Sequence, residues 1–147
     1  MNKVVMPNDL LLAEVSRLVA EGETVTLLTK GNSMLPFIRG GKDSVVLEKK
    51  ERLEPGMIAL AEVSEGVYVL HRIMSVEDGT VVLMGDGNIK GQETCAVGNV
   101  KAIATIIIRN GRRLETAGKR HQRQARIWKS LLPVRRWLLA IYKRIFI

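Results

Sequence analysis

Between Thr24 and Arg109 the chain carries six short β-branched or apolar runs, with no helical periodicity between them. They cover residues 24–28, 44–47, 57–63, 67–75, 80–84 and 100–109, and Gly, Pro and charged turns separate them. A parallel sheet needs crossover connections, usually helices, between its strands. Consecutive strands without them predict a mainly β fold: a compact antiparallel sheet closing into a partly open barrel. Asp78-Gly79 stands between two of the runs and marks a hairpin turn. Before the strands, Leu11, Leu12, Val15, Leu18 and Val19 recur at helical spacing, predicting a helix over 9–20. Asn8 or Asp9 supplies its cap and Gly22 its end.

The chain has 147 residues, one domain's length, and 46% hydrophobic content sufficient for a core. Its single cysteine, Cys95, excludes an internal disulfide, and with only two histidines no metal site is expected. No cofactor is expected either. The longest stretch without Asp, Glu, Lys or Arg is eight residues, 31–38, against about 20 for a membrane span. Pro7 and Asp9 interrupt any signal-peptide core after Lys3, so the expected compartment is the cytoplasm.

Charge is unevenly spread. Residues 112–147 hold eight Arg, three Lys and one acid, 11 − 1 = +10, leaving 12 − 14 = −2 for residues 1–111. This step predicts a β domain with its N-terminal helix over 1–111 and a basic helical arm over 112–147. Pro133 divides the arm. Beyond it Val134, Trp137, Leu138, Ile141, Tyr142 and Ile145 share one helical face, with Arg135, Arg136, Lys143 and Arg144 around them. Such a helix suits an anionic membrane surface at the inner face of the membrane. The same stripe also suits docking on the sheet or on an acidic protein, and nucleic acid is not the expected partner.

Three short elements bear chemistry. In Gly31-Asn32-Ser33-Met34-Leu35-Pro36-Phe37 a serine stands in a Pro-bounded turn after a strand. Turn residues can project a hydroxyl into a cleft, although most turn serines bond only their own backbone. In Tyr68-Val69-Leu70-His71-Arg72-Ile73, alternation puts His71 on the face of Val69 and Ile73, and Arg72 on the other. A lone inward histidine is more often structural than catalytic. The third, Gly85-Asp86-Gly87-Asn88, reads by itself as a plain turn.

In this order, with Pro55-Gly56-Met57-Ile58 between the first two and Val97-Gly98-Asn99-Val100 after the third, the motifs resemble the signal peptidase I and LexA-like serine peptidase superfamily. The resemblance covers about residues 24–111. It implies Ser33 as nucleophile and His71 as general base, since the endoplasmic-reticulum-type signal peptidases carry histidine where most bacterial members carry lysine. A neutral imidazole can take the serine proton near pH 7. Asp86 matches the family's Gly-Asp turn and is the expected third catalytic residue, with Glu93 as the other candidate. The resemblance further implies an extended peptide or protein substrate, with Met34, Leu35 and Phe37 lining the cleft and the Ser33 backbone amide in the oxyanion hole.

The chain departs from the family in three places. Met57 replaces an acidic residue, Gly31 stands where many members have an assisting serine, and neither a membrane anchor nor a DNA-binding unit precedes Ser33. A non-catalytic peptide-binding module of the same fold, recruited through the basic arm, is therefore the second reading. Cys95 is expected as an apolar filler and His121 as a solvated residue of the arm. Ala117-Gly118 resembles the small-residue bonds that LexA-type relatives cut in themselves, but its plain reading is a linker.

Overall fold

β3 (Ile58–Ser64) shows how the sheet is built. Its first four residues are all buried, yet Ile58 and Leu60 enter one core while Ala59 and Ala61 enter another. Alternation along the strand sends large residues to one side and small ones to the other, so both faces of the central sheet are covered. The computed structural model describes residues 8–146, with side chains from residue 10. Lys3 and Pro7 lie outside the described residues, as do the side chains of Asn8 and Asp9 on which the expected cap rests.

After α1 (Asn8–Ala20) come β1 (Val25–Leu28), β2 (Ser44–Glu48), β3, β4 (Val67–Glu77), β5 (Thr80–Met84), β6 (Glu93–Ala96), β7 (Val100–Arg109) and β8 (Arg112–Glu115). They form one antiparallel sheet in the order β1-β2-β7-β3-β4-β5-β6, curled into a half-barrel, with β8 also on β7. β3 and β8 follow one another along the same edge of β7, since β3 pairs residues 100–104 and β8 pairs 106–109. α1 lays Leu12, Val15 and Val19 on the larger core. Asp78 and Gly79 both have positive φ, 49° and 77°, as the tight β4–β5 hairpin requires.

β6 and β8 are additions to the six expected strands. β8 is charged and exposed along its length, so no buried face announces it. It makes the expected division at residue 112 fall inside a hairpin. The basic segment that follows is helical and packs in part on the body. α2 (Lys119–Ser130) buries His121 and Ala125, and α3 (Arg135–Phe146) buries Arg135 and Leu139. The expected stripe of α3 faces outward, with Trp137 and Ile145 61% and 66% exposed. No helix among the described residues is long and apolar enough to cross a membrane.

Candidate active site

β4 carries His71 and Arg72 to opposite faces, and each meets a different carboxylate. His71 is buried beside Ala59 of β3. β5 pairs with β4 only from Arg72 onward, and its last residue, Met84, lies opposite Arg72. The chain then leaves the sheet, and Glu93, the first residue of β6, reaches His71 directly. The imidazole Nδ1 hydrogen-bonds the Glu93 carboxylate. With Nδ1 donating to that acceptor, Nε2 is the basic nitrogen of the ring.

Ser33 lies in the loop between β1 and β2. A buried ionic cluster closes that loop. Asp43, fully buried, accepts from Arg39 Nη2 at 2.8 Å and from Arg109 Nη2 at 3.0 Å. Arg109 also donates to the carbonyls of Pro36 and Phe37, at 3.1 and 3.0 Å. Burial opposes ionisation of Asp43, but the hydrogen bonds from Arg39 and Arg109 outweigh it and hold its pKa below the usual value. The loop is thereby pinned at Pro36 and Phe37 and again at Arg39.

The turn at Gly85–Asn88 backs the serine. Gly87 N–H donates to the Ser33 carbonyl at 2.8 Å. A Cβ on Gly85 would stand 2.3 Å from the Ser33 carbonyl oxygen, and one on Gly87 2.2 Å from that of Asn32. Only glycine lets the two backbones approach so closely. The Gly-Asp-Gly motif therefore supports the serine loop by its backbone.

Ser33 and His71 line one cavity of about 190 Å³. Its walls are the end of β1, Leu27 and Leu28, with Lys30 just beyond, and the first half of β4, with Tyr68 and Leu70; Leu11 and Leu12 of α1 also border it. Residues 67–71 of β4 pair with β3 on one side, and β5 covers the other side only from Arg72. β1 likewise pairs only with β2. The cavity therefore lies beside two sheet edges with unused backbone groups. The hydrogen bonds of the described residues include none between Ser33 and His71.

The opposite face of β4 carries a buried ion pair. Asp86 accepts from Arg72 Nε at 2.9 Å and Nη2 at 2.7 Å, with both side chains buried. Asp86, expected as the third catalytic residue, is instead engaged by Arg72, and the carboxylate on His71 belongs to Glu93. His121 is also corrected: it is buried, not solvated, and its Nε2 accepts from Arg72 Nη1 at 3.1 Å. Burial, with the Arg72 charge adding to it, pushes its pKa down to about 4.

Of the expected cleft residues, Met34 lines the cavity. Leu35 and Phe37 do not. Leu35 is wholly inaccessible, and the Phe37 ring packs edge-on against His121 and beneath the Arg72 guanidinium. Cys95 is buried in the smaller core, where burial pushes its thiol pKa up against the opposing charge of Lys101. Among the described residues no group of three or more His, Cys, Asp or Glu could hold a metal. No family model matches the chain, and no curated protein matches it.

The site includes residues that motif reading does not single out. Trp128 Nε1 donates to the Asp86 carbonyl at 2.7 Å, and Arg135 Nη1 to the Asn88 carbonyl at 3.0 Å. Two residues of the basic segment thus hold the turn on which Ser33 rests. The only signal in the sequence is for Trp128, an aromatic within the polar stretch 119–130; Arg135 is one of many cations of the segment.

Proposed function

We propose that the chain is a signal-peptidase-like serine endopeptidase with Ser33 as nucleophile, His71 as general base and Glu93 as the carboxylate that orients the base. The observation that carries this reading is the shared cavity of Ser33 and His71, with Glu93 on Nδ1 of the ring. As the substrate carbonyl is attacked, the Ser33 hydroxyl proton passes to His71 Nε2 and Oγ bonds to the carbonyl carbon. Glu93 then faces the positive imidazolium. His71 returns the proton to the departing amine, the peptide bond breaks, and water releases the acyl group by the same route in reverse.

No backbone carbonyl takes the Ser33 N–H among the hydrogen bonds of the described residues, which leaves that donor for the developing oxyanion. The open edges of β1 and β4 suit an extended peptide added as a strand. The cavity is smaller than the roughly 300–1,000 Å³ of ordinary ligand pockets. That size suits one or two small side chains next to the cut bond.

The enzyme acts in the cytoplasm, at an anionic membrane face. Trp137, Ile141, Ile145 and Phe146 of α3 are exposed, and Arg136, Lys143 and Arg144 are exposed around them. An apolar stripe bordered by cations matches an anionic bilayer, where each nearby Lys or Arg contributes about 1 kcal/mol.

A serine-directed acylating probe tests the catalytic reading. Labelling is expected in the wild type and absent in Ser33→Ala and His71→Ala, with both variants folded. Absence of labelling in the wild type, with a peptide still bound, would replace the enzyme by the non-catalytic peptide-binding module.

A further inference from the structure

Arg135 is 3% exposed, yet no carboxylate pairs with it among the described residues. Its two terminal nitrogens donate to the carbonyls of Asn88 and Trp128, and its Nε has no hydrogen-bond partner. Burial works against its charge; Asp86 restores part of this and Arg72 removes some. A buried guanidinium in this condition calls for a counter-ion.

The space beside it is suited to hold one. Arg135 lines a cavity of about 260 Å³ together with Arg72, Asp86, Arg126, Trp128 and Lys129. Asp86 and Arg72 neutralise one another through their paired hydrogen bonds. What remains is Arg126, Lys129 and Arg135, three cations with no acid to balance them. Arg126 and Lys129 are exposed, so they stand at the mouth, and Arg135 is inside.

We propose that this cavity is a binding site for a phosphate-type anion, held by Arg135 within and by Arg126 and Lys129 at the entrance. A carboxylate would balance one of the three charges. A phosphate monoester carries between one and two negative charges and three strong acceptor oxygens, so it engages all three cations. The site is distinct from the Ser33 cavity and lies on the other face of β4. Its walls also touch the turn behind Ser33, because Trp128 and Arg135 hold the carbonyls of Asp86 and Asn88. The phosphate can be free or can belong to a lipid headgroup, since α3 begins at Arg135 and carries its exposed stripe onward from there.

Two exposed pairs, equal in charge, make the test. Arg126→Gln/Lys129→Gln removes the mouth of the cavity, and Arg112→Gln/Arg113→Gln removes two cations on β8, outside its lining. Inorganic phosphate is compared with chloride at equal ionic strength by thermal unfolding. Near saturation, Tm of the wild type and of the β8 pair is expected to rise by roughly 5 °C, and that of the cavity pair not to rise. That result assigns free phosphate as a ligand. The second arm measures binding to phosphatidic acid vesicles against phosphatidylglycerol vesicles. A preference for phosphatidic acid of fivefold or more, present in the wild type and the β8 pair but lost in the cavity pair, assigns the headgroup. Equal loss in both pairs, an undiminished response in the cavity pair, or no response to either probe would overturn the proposal.

Discussion

His71 and His121 are the two histidines of the chain, both buried, and the structure uses them in opposite ways. His71 has a carboxylate on one ring nitrogen and an open cavity beside it. His121 has a guanidinium on one nitrogen and a phenylalanine ring beside it. A carboxylate neighbour favours the imidazolium that proton transfer would create, whereas a guanidinium opposes it. Burial alone therefore does not separate a candidate catalyst from a structural histidine. The sign of the partner and the access to a cavity do.

The largest effect expected from this contrast is at Glu93. Glu93→Gln keeps a hydrogen-bond acceptor near the ring but removes the charge and permits the wrong tautomer. Peptidase turnover or probe acylation should fall by roughly 10²–10⁴-fold. Urea unfolding should be nearly unchanged, because Glu93 is half-buried at the start of a strand. A rate within twofold of wild type would remove Glu93 from the proposed mechanism and dissolve the difference between the two faces of β4.

Asp86→Asn probes the ion-paired face. It leaves the buried Arg72 guanidinium without its ionic partner, beside a neutral His121. Breaking one side of a buried pair costs about 3–5 kcal/mol. The urea midpoint should drop accordingly. A stability loss below about 1 kcal/mol would show that Arg72 does not depend on Asp86 for its charge compensation, and the pair would no longer count as the anchor of that face.

The third effect is in pH. The His121 pKa is about 4 in the folded chain against 6.5 for the free side chain. Between these values the unfolded state binds a proton that the folded state refuses. Stability is therefore fully present above pH 6.5, declines as pH falls toward 4, and loses nothing further from this group below that. The shift corresponds to about 3 kcal/mol across the window. His121→Gln can still accept from Arg72, and its unfolding free energy should lack this component. Parallel pH profiles of the two proteins would show that His121 takes up a proton in place.

Much of this contrast is legible in the sequence. Period-two alternation along 67–75 separates His71 from Arg72, and the strand pattern predicts the mainly β fold. What escapes is set by long-range packing. His121 is 49 residues from Arg72, and nothing near it in the chain indicates a partner. Asp86 stands in a motif that invites a catalytic role, but Arg72 outcompetes His71 for it because the two project to opposite sides of one strand. The missed strand β8 does have a local sign. Asn110-Gly111 has positive φ at both residues, 52° and 77°, as a tight hairpin turn requires. The step in charge at Arg112 divides composition, not structure.

The smallest expected effect bears on whether the two faces stay in one chain. Ala117-Gly118 links the strands that carry His71 to the helix that carries His121, so self-cleavage there would separate them. The segment is not presented as an extended strand. Thr116 is buried, its hydroxyl donates to the Ala104 carbonyl at 2.7 Å, and its N–H donates to that of Thr105 at 3.0 Å. Its own carbonyl accepts from the Gln122 side chain at 2.7 Å, and Gly118 N–H turns back to the Glu115 carbonyl at 3.2 Å. To enter a cleft as a strand, the segment must give up these bonds together, and each lost from a buried site costs about 1–3 kcal/mol. Intact mass of the wild type should therefore remain unchanged after prolonged incubation at mildly alkaline pH. A split after Ala117 that Ser33→Ala abolishes would mean that β8 and α2 detach readily, and that the ion-paired face comes apart on the timescale of the reaction.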